Sequence, residues 1–284
     1  MKINFDYTIY LINFANSFKN MRKILLLLTI FLSLVSCSEY QKVTKNPDIP
    51  AKIALAEKLY NEGKFGKAIT LYEQIKNTSK GKVKNERIDY FYSDALFQKK
   101  KYLLAQYTLE RFAKRYPKSE KAEGAAFHSI YSYYVETPVY SLDQTDTYKA
   151  ITKIQKFIDT YPNSKYMKEA NQYMKDLNIK LERKDFEIAK QQYDLEAYKS
   201  AIKNFDNFLL DYPGTIFKEE ALFFKLKSAY LLGVNSVEKK KEMRLKNALS
   251  IGKSMLKHFP NSKYIEEINK MSSKATELLN SKNN

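Results

Sequence analysis

The feature that most constrains the fold is a short segment that recurs four times along the chain. In each copy an aromatic residue and a proline are followed, two residues later, by serine or threonine. Proline cannot continue a helix, and it disfavours helical backbone angles in the residue before it. Serine and threonine are preferred at helix N-termini, where their oxygens accept a backbone N–H. Each copy therefore predicts the end of one helix and the N-cap of the next. The copies are Phe112-Ala-Lys-Arg-Tyr-Pro-Lys-Ser119, Phe157-Ile-Asp-Thr-Tyr-Pro-Asn-Ser164, Phe208-Leu-Leu-Asp-Tyr-Pro-Gly-Thr215 and Met255-Leu-Lys-His-Phe-Pro-Asn-Ser262.

The segments upstream of these stops repeat a second pattern, which has the apolar spacing of an amphipathic helix. Tyr102-x-x-Ala105-x-x-x-Leu109-x-x-Phe112 is matched closely by the segments that end at Phe157 and Phe208, and residues 63–72 form a similar first unit. A small alanine beside aromatic residues is typical of two helices that cross closely, as in tetratricopeptide-type repeats. The prolines at 117, 162, 213 and 260 are 45, 51 and 47 residues apart. This exceeds the usual period of about 34 residues, so we expect lengthened helices or loops.

The repeats predict an all-α, tetratricopeptide-like helical-repeat solenoid of about five helix pairs with a C-terminal capping helix. We expect N-terminal units 1–3 within residues 51–163, and units 4–5 with the capping helix within residues 164–284. The run from Met167 to Leu195 contains neither glycine nor proline and predicts one extended helix. The expected helix pairs are 51–62 with 64–77, 84–99 with 102–116, 119–136 with 146–161, 165–195 with 197–212 and 216–232 with 239–259, followed by the cap at 262–280.

The N-terminus has the composition of an export signal. Arg22 and Lys23 precede an apolar stretch at 24–35, which is shorter than the roughly 20 residues that span a bilayer. A short apolar stretch after basic residues is typical of a signal peptide rather than a permanent transmembrane helix. We therefore expect residues 1–36 to be removed. Translation starts either at Met1, with a long basic region, or at Met21.

The end of the apolar stretch, Leu34-Val35-Ser36-Cys37, resembles a bacterial lipobox. In such a motif the cysteine is acylated and becomes the new N-terminus. We predict lipidation of Cys37, followed by a flexible tether over residues 37–50. The alternative is an ordinary secretory signal in which the cysteine occurs by chance.

The residue after the cysteine and the charge indicate where the chain acts. Ser38, rather than aspartate, follows Cys37, which resembles the sorting signal for release to the outer membrane. The formal charge is +17, and removal of residues 1–36 leaves +14. Since nucleic acid is not expected in the periplasm, we predict no nucleic-acid partner. The charge is interpreted as a solvated lysine-rich surface or as attraction to acidic partners or an anionic membrane.

The sequence gives little support to catalysis or metal binding. One cysteine and two histidines are too few for a structural zinc site with four such ligands. The chain has no glycine-rich phosphate loop, His-x-x-x-His pair or Gly-x-Ser-x-Gly elbow. His128 lies inside a predicted helix and is interpreted as a helix-face residue rather than as a catalytic base. We therefore expect no enzyme activity, no catalytic residue, no cofactor and no metal.

Binding of other polypeptides is the function that this architecture favours. A helical-repeat solenoid presents a concave groove lined mainly by the first helix of each pair. Tyr90, Tyr131 and Tyr134 lie on such helices, where tyrosine serves either core packing or recognition of an extended peptide. Lys84 and Arg87 on the same helix as Tyr90 are candidates to bind a carboxylate. These five residues form the predicted peptide-binding set.

The ordered motifs resemble one family over residues 37–270. They comprise the lipobox, five extended repeat units with their Tyr-Pro-x-Ser/Thr stops, and the segments Leu142–Ala150, Phe157–Tyr166, Ala201–Thr215, Glu219–Leu222 and Ala229–Gly233. Together they are similar to the BamD family of lipoproteins of the outer-membrane β-barrel assembly machinery. The resemblance implies a non-enzymatic scaffold, lipid-anchored at the periplasmic face of the outer membrane. It also implies binding of a BamA-type barrel insertase by the C-terminal units and of unfolded barrel precursors by the N-terminal units.

Three other functions remain open on sequence grounds. The first is a different tetratricopeptide-repeat envelope lipoprotein that scaffolds cell-wall or transport complexes. The second is a glycan-binding lipoprotein, which the absence of tryptophan disfavours. The third is an enzyme.

Overall fold

A computed structural model describes residues 39–78 and 85–281, and every regular element in those ranges is an α-helix. Consecutive helices pack in pairs, so the fold is the all-α, tetratricopeptide-like helical repeat that the sequence predicts. The predicted helix ends lie within three residues of the observed ones. The signal peptide, Cys37 and Lys84 lie outside the described residues. The helices are α1 (residues 39–45), α2 (Ile49–Asn61), α3 (Phe65–Thr78), α4 (Glu86–Gln98), α5 (Tyr102–Arg115), α6 (Ala122–Val135), α7 (Thr145–Thr160), α8 (Met167–Asp194), α9 (Tyr198–Asp211), α10 (Lys218–Val234), α11 (Glu238–His258) and α12 (Ile265–Asn280).

The chain forms two compact units that meet in sequence between Ser129 and Ile130, inside α6. This division differs in kind from the grouping of repeat units within residues 51–163 and 164–284, which stays a prediction. Unit one contains α1 to α5 and the first half of α6. Unit two contains the end of α6 and α7 to α12. Each unit has its own buried clusters, which are shared by consecutive helices as is usual in repeat proteins.

The four aromatic-proline stops have one backbone geometry. In each, the aromatic residue is the C-cap, and its amide donates to the carbonyl four residues earlier. Its φ lies between −124° and −128° and its ψ between 61° and 72°, outside the helical region that the following proline disfavours. The C-cap residues are Tyr116, Tyr161, Tyr212 and Phe259. The predicted helix ends are therefore confirmed.

The serine or threonine of each stop has a somewhat different role from the predicted N-cap. Its hydroxyl accepts the amide of the residue two positions later, at 3.1–3.2 Å in all four copies. Its carbonyl accepts the amide three positions later, which closes a tight turn. The α-helix begins only after this turn, and the N-cap positions of α8, α10 and α12 have no side-chain cap. These hydroxyls thus order the turn before the helix.

Two of the stops are also held by a tyrosine–aspartate hydrogen bond to the preceding helix. Tyr116 donates to Asp89 at 3.0 Å, and Tyr212 donates to Asp185 at 2.6 Å. Asp89 also accepts from Lys76 at 2.7 Å and from Arg115 at 3.0 Å. Burial alone raises the pKa of Asp89, but these donors outweigh it and hold the pKa below its ordinary value. The carboxylate therefore ties together α3, α4 and the end of α5.

The small residue of each repeat lies where the sequence places a close crossing. Ala68, Ala105, Ala150 and Ala201 are each fully buried. In each of these four repeats, the apolar residue four positions after the alanine is also fully buried. Extra methylenes at such a crossing cost about 1–3 kcal/mol, which accounts for alanine there.

The segment expected to be a flexible tether is helical over residues 39–45. Tyr40 and Val43 are three residues apart on one face of α1, and both pack against the first core. The Lys67 Nζ lies 5.2 Å from the centroid of the Tyr40 ring. Glu39 pairs with Lys58 at 3.6 Å. The described part of the expected tether is therefore packed on unit one.

Unit two contains the features that lengthen the repeat. Helix α8 is the extended helix predicted for this run, and its 28 residues correspond to about 42 Å. The insertion between α6 and α7 is ordered by buried Gln144, whose amide donates to the carbonyls of Val139 and Leu142. Helix α12 buries Ile268 and Ala275 and contacts α10 and α11, as expected for a capping helix.

Three helix-to-helix turns place one residue in the left-handed backbone region. Gly63, Lys100 and Glu196 have φ values of 71°, 58° and 57°. In each turn the next amide donates to a carbonyl five residues earlier, the bond of a Schellman motif. Glycine occupies this position without strain, whereas a side chain costs about 1–2 kcal/mol. The second and fourth helix pairs, α4 with α5 and α8 with α9, therefore carry backbone strain that the first pair, α2 with α3, avoids.

We predict that Lys100→Gly stabilises the protein by about 0.5–1 kcal/mol, because relief of the left-handed strain exceeds the greater chain entropy of glycine. Lys99→Gly is the matched control, since Lys99 has a φ of −82° and should lose stability. Urea unfolding of the two variants measures the difference. Equal destabilisation by both variants would contradict the assignment of strain to Lys100.

Candidate functional site

An open cleft of about 710 Å³ lies at the N-terminal end of α4 in unit one. It contains two members of the predicted peptide-binding set, Arg87 and Tyr90. We call it the Arg87 cleft. The lining residues are Tyr60 from α2, Asn85, Glu86, Arg87, Tyr90 and Phe91 from the start of α4, and Lys121 from the turn before α6.

The local sequence explains why α4 begins at the edge of this cleft. The Asn85 side chain accepts the amides of Arg87 and Ile88 at 2.9 and 3.2 Å, so it is a true N-cap. Glu86 and Asp89 supply negative charge in the first turn, where the helix dipole favours it. The cap fixes the direction in which Arg87 leaves the helix.

The cleft combines cations with aromatic surface. Arg87 is exposed, pairs with Glu57 at 2.8 Å and lies with its guanidinium 5.6 Å from the Phe91 ring centroid. The Lys121 Nζ lies 5.7 Å from the centroid of the half-buried Tyr90 ring. Two cations beside aromatic faces suit a ligand that has a carboxylate and an apolar side chain.

The buried carboxylate of Asp94 fixes the position of Tyr60, which lines the cleft. Tyr60 donates to Asp94, which is 3% exposed and also accepts from Gln98. The Nδ1 of His128 lies 3.6 Å from Asp94, and its ring stacks on Phe97 with centroids 4.1 Å apart. His128 is thus partly buried against α4, in keeping with its interpretation as a helix-face residue.

These contacts shift the pKa values of both partners. Burial, and then the hydrogen bond to Asp94, raises the pKa of Tyr60 well above its usual range. Burial opposes ionisation of Asp94, but the contacts with His128, Tyr60 and Gln98 outweigh it and lower its pKa. The phenol therefore remains a neutral donor and Asp94 an ionised acceptor at neutral pH.

The other two predicted tyrosines belong to a separate cluster in unit two. Tyr131 and Tyr134 pack with Tyr173 of α8, at centroid distances of 5.8 and 4.6 Å. Tyr134 donates to Asp176 at 3.1 Å. Burial, and then this bond, raises the pKa of Tyr134. Both tyrosines are half-buried, so part of each ring remains accessible.

The predicted peptide-binding set includes some of the residues that these two clusters bring together and omits others. Arg87 and Tyr90 belong to the set because both lie on the first helix of a predicted pair. Tyr60, Lys121 and Tyr173 were missed because separate helices and turns bring them to the site.

The described residues contain neither a metal-binding cluster nor a membrane-spanning helix. In residues 39–78 and 85–281, no three His, Cys, Asp or Glu side chains are arranged to hold a metal ion. Over the same ranges, no helix combines the length and the apolar character needed to cross a bilayer.

Comparison with known proteins adds two findings. The family model YfiO, described as outer membrane lipoprotein, matches residues 53–245. The chain is also 27% identical over 221 residues to a protein of Rickettsia prowazekii (strain Madrid E) named outer membrane protein assembly factor BamD. That alignment covers 75% of this chain and 86% of the relative. Both findings confirm the resemblance seen in the motifs.

We predict that Asp94→Asn lowers the free energy of unfolding near neutral pH by about 1–3 kcal/mol, because it removes an ionised acceptor. A carboxylate with a lowered folded pKa stabilises the protein above its unfolded pKa of about 3.9, and that contribution is lost as the pH falls through the folded value. The variant should therefore show a smaller acid-induced loss in urea unfolding measured from pH 7 downward. Asp211→Asn, at an exposed position, is the control and should keep the acid dependence. An unchanged acid dependence in Asp94→Asn would refute the assignment.

Proposed function

Because the chain belongs to the YfiO family of outer membrane lipoproteins, we propose that it is a non-enzymatic component of outer-membrane β-barrel protein assembly. In this proposal acyl chains on Cys37 hold it at the periplasmic face, where it binds a BamA-type insertase and unfolded barrel precursors. The observation that carries the proposal is the family match over residues 53–245, which spans most of the helical repeats. The name of the Rickettsia relative, an outer membrane protein assembly factor, supports the same process.

We assign precursor recognition to the Arg87 cleft in unit one. An unfolded barrel precursor offers aromatic side chains and free carboxylates. Arg87 and Lys121 provide cations, while Tyr90 and Phe91 provide rings within the same open cleft. Charge-assisted hydrogen bonds and ring contacts would act together on such a ligand. The insertase is assigned to the C-terminal repeat units, within residues 164–284, by the family resemblance alone.

We predict that a photoreactive phenylalanine analogue at Tyr90 crosslinks to barrel precursors in living cells. Arg87→Ala should lower the yield roughly tenfold, because a charge-assisted hydrogen bond contributes about 1.5–3 kcal/mol and Arg87 is exposed. The same analogue at Tyr148, which is 58% exposed in unit two, is the control for unspecific capture.

The captured proteins, identified by mass spectrometry, decide between the open functions. Capture of barrel precursors at Tyr90, with co-purification of a BamA-type insertase, supports the proposal. Capture of cell-wall synthases or transport proteins alone would instead identify a different envelope scaffold.

We predict that Cys37→Ala abolishes incorporation of a labelled fatty acid and leaves the protein either soluble or with its signal peptide uncleaved, since Cys37 is the one cysteine of the chain. Acylation contributes about 0.8 kcal/mol per buried methylene, so its loss removes most of the membrane affinity. Ser36→Ala, which keeps a small residue before the cysteine, should retain the label. Label that persists in Cys37→Ala would place the lipid elsewhere.

A further inference from the structure

Five lysines gather at one end of unit one, opposite the Arg87 cleft along α4. Two belong to the start of α3, and three form the turn between α4 and α5. All five are exposed. They are Lys64, Lys67, Lys99, Lys100 and Lys101. We call this surface the basic end.

The two parts of the basic end lie close together. The Lys99 Cε is 3.9 Å from the position that a Cβ would take on Gly66, in the first turn of α3. The first turns of α3 and α5 contain no carboxylate, so the positive ends of both helix dipoles add to the lysines. Glu62 in the neighbouring turn pairs with Lys64 at 2.8 Å. Positive charge therefore predominates here.

Apolar side chains are exposed beside these lysines. Leu103 and Leu104 lie in the first turn of α5 and are 59% and 47% exposed, and Tyr107 one turn later is 47% exposed. Leucine and tyrosine among lysines are the composition of a surface that rests at a membrane interface. The lysine stems can lie along the acyl boundary while the ammonium groups reach the headgroups.

The described chain begins at the same end of unit one. Glu39 pairs with Lys58 in the last turn of α2, and the Tyr40 ring lies 5.2 Å from the Lys67 Nζ. Cys37 precedes Glu39 by two residues, which span at most about 7 Å. A lipid on Cys37 would therefore enter the bilayer within a short distance of the basic end.

We propose that the basic end of unit one is a membrane-docking surface that binds the headgroups of anionic phospholipids. The lysines supply complementary charge, and Leu103 and Leu104 enter the interface. The acyl chains fix the distance to the bilayer, while this surface fixes the orientation of unit one upon it. The orientation rests on the proposed lipidation of Cys37, whereas the headgroup affinity does not.

The test uses the chain from Ser38 onward, which lacks the acyl chain and contains every described residue. Its partition onto phosphatidylcholine vesicles is measured by co-sedimentation, with and without phosphatidylglycerol. We expect binding only to the anionic vesicles. The triple substitution Lys99→Gln, Lys100→Gln, Lys101→Gln should reduce it roughly 100-fold, since each lysine at an anionic surface contributes about a fivefold factor.

A second lysine triplet, in which Lys241 pairs with Glu238 at 2.7 Å, provides the control. Lys239→Gln, Lys240→Gln, Lys241→Gln removes the same charge from the start of α11 in unit two and should leave the partition nearly unchanged. Equal loss from both triplets, no loss from the first, or equal binding to uncharged vesicles would overturn the proposal. Leu103→Ser with Leu104→Ser should weaken binding to the anionic vesicles. Since no protein partner is present, failure here is separate from failure of the assembly function.

Discussion

The fold depends on the backbone conformation that proline imposes on the aromatic residue before it. At each stop this residue leaves the helical region, so the helix ends and the chain turns with the same local backbone geometry. Tyr116 and Tyr212 then use their side chains to bond an aspartate of the preceding helix. The same residue therefore stops one helix and fixes its packing on the previous one. A repeat built in this way needs only small local cores, because most of the packed helix pairs in the described residues are neighbours in sequence.

Helix ends were predictable because their causes are local. The prolines, the caps and the apolar spacing all act within one or two turns of chain. The packing of α1 was not predictable, because it depends on how Tyr40 and Val43 meet a core assembled from other helices. The left-handed residues show an intermediate case. Gly63 was visible in the sequence, but Lys100 and Glu196 occupy the same position against their own preference. Tertiary packing there overrides a local cost.

The burial of two aspartates could not be predicted from the sequence pattern. Asp89 and Asp94 occupy helix positions that look like those of ordinary solvent-exposed polar residues, yet the fold buries both. Each is retained as an ion because several donors from different helices converge on it. Such groups contribute little net stability compared with apolar residues, but they penalise any register in which the donors are misplaced. We infer that Asp89 helps to align α3, α4 and α5, and that Asp94 helps to align α2, α4 and α6, where aromatic rings alone would permit sliding.

The two proposed surfaces of unit one are separated by one helix. Arg87 lies at the N-terminus of α4, and Lys99 caps its C-terminus. Thirteen residues of α-helix span about 20 Å. If the basic end rests on the headgroups with α4 along the bilayer normal, the Arg87 cleft opens about that far from the bilayer, in water. This separation suits a receptor for unfolded chains, because a cleft pressed against lipid would compete with the membrane for the same aromatic side chains. The rigidity of one short helix would then determine where a precursor is held relative to the membrane it enters.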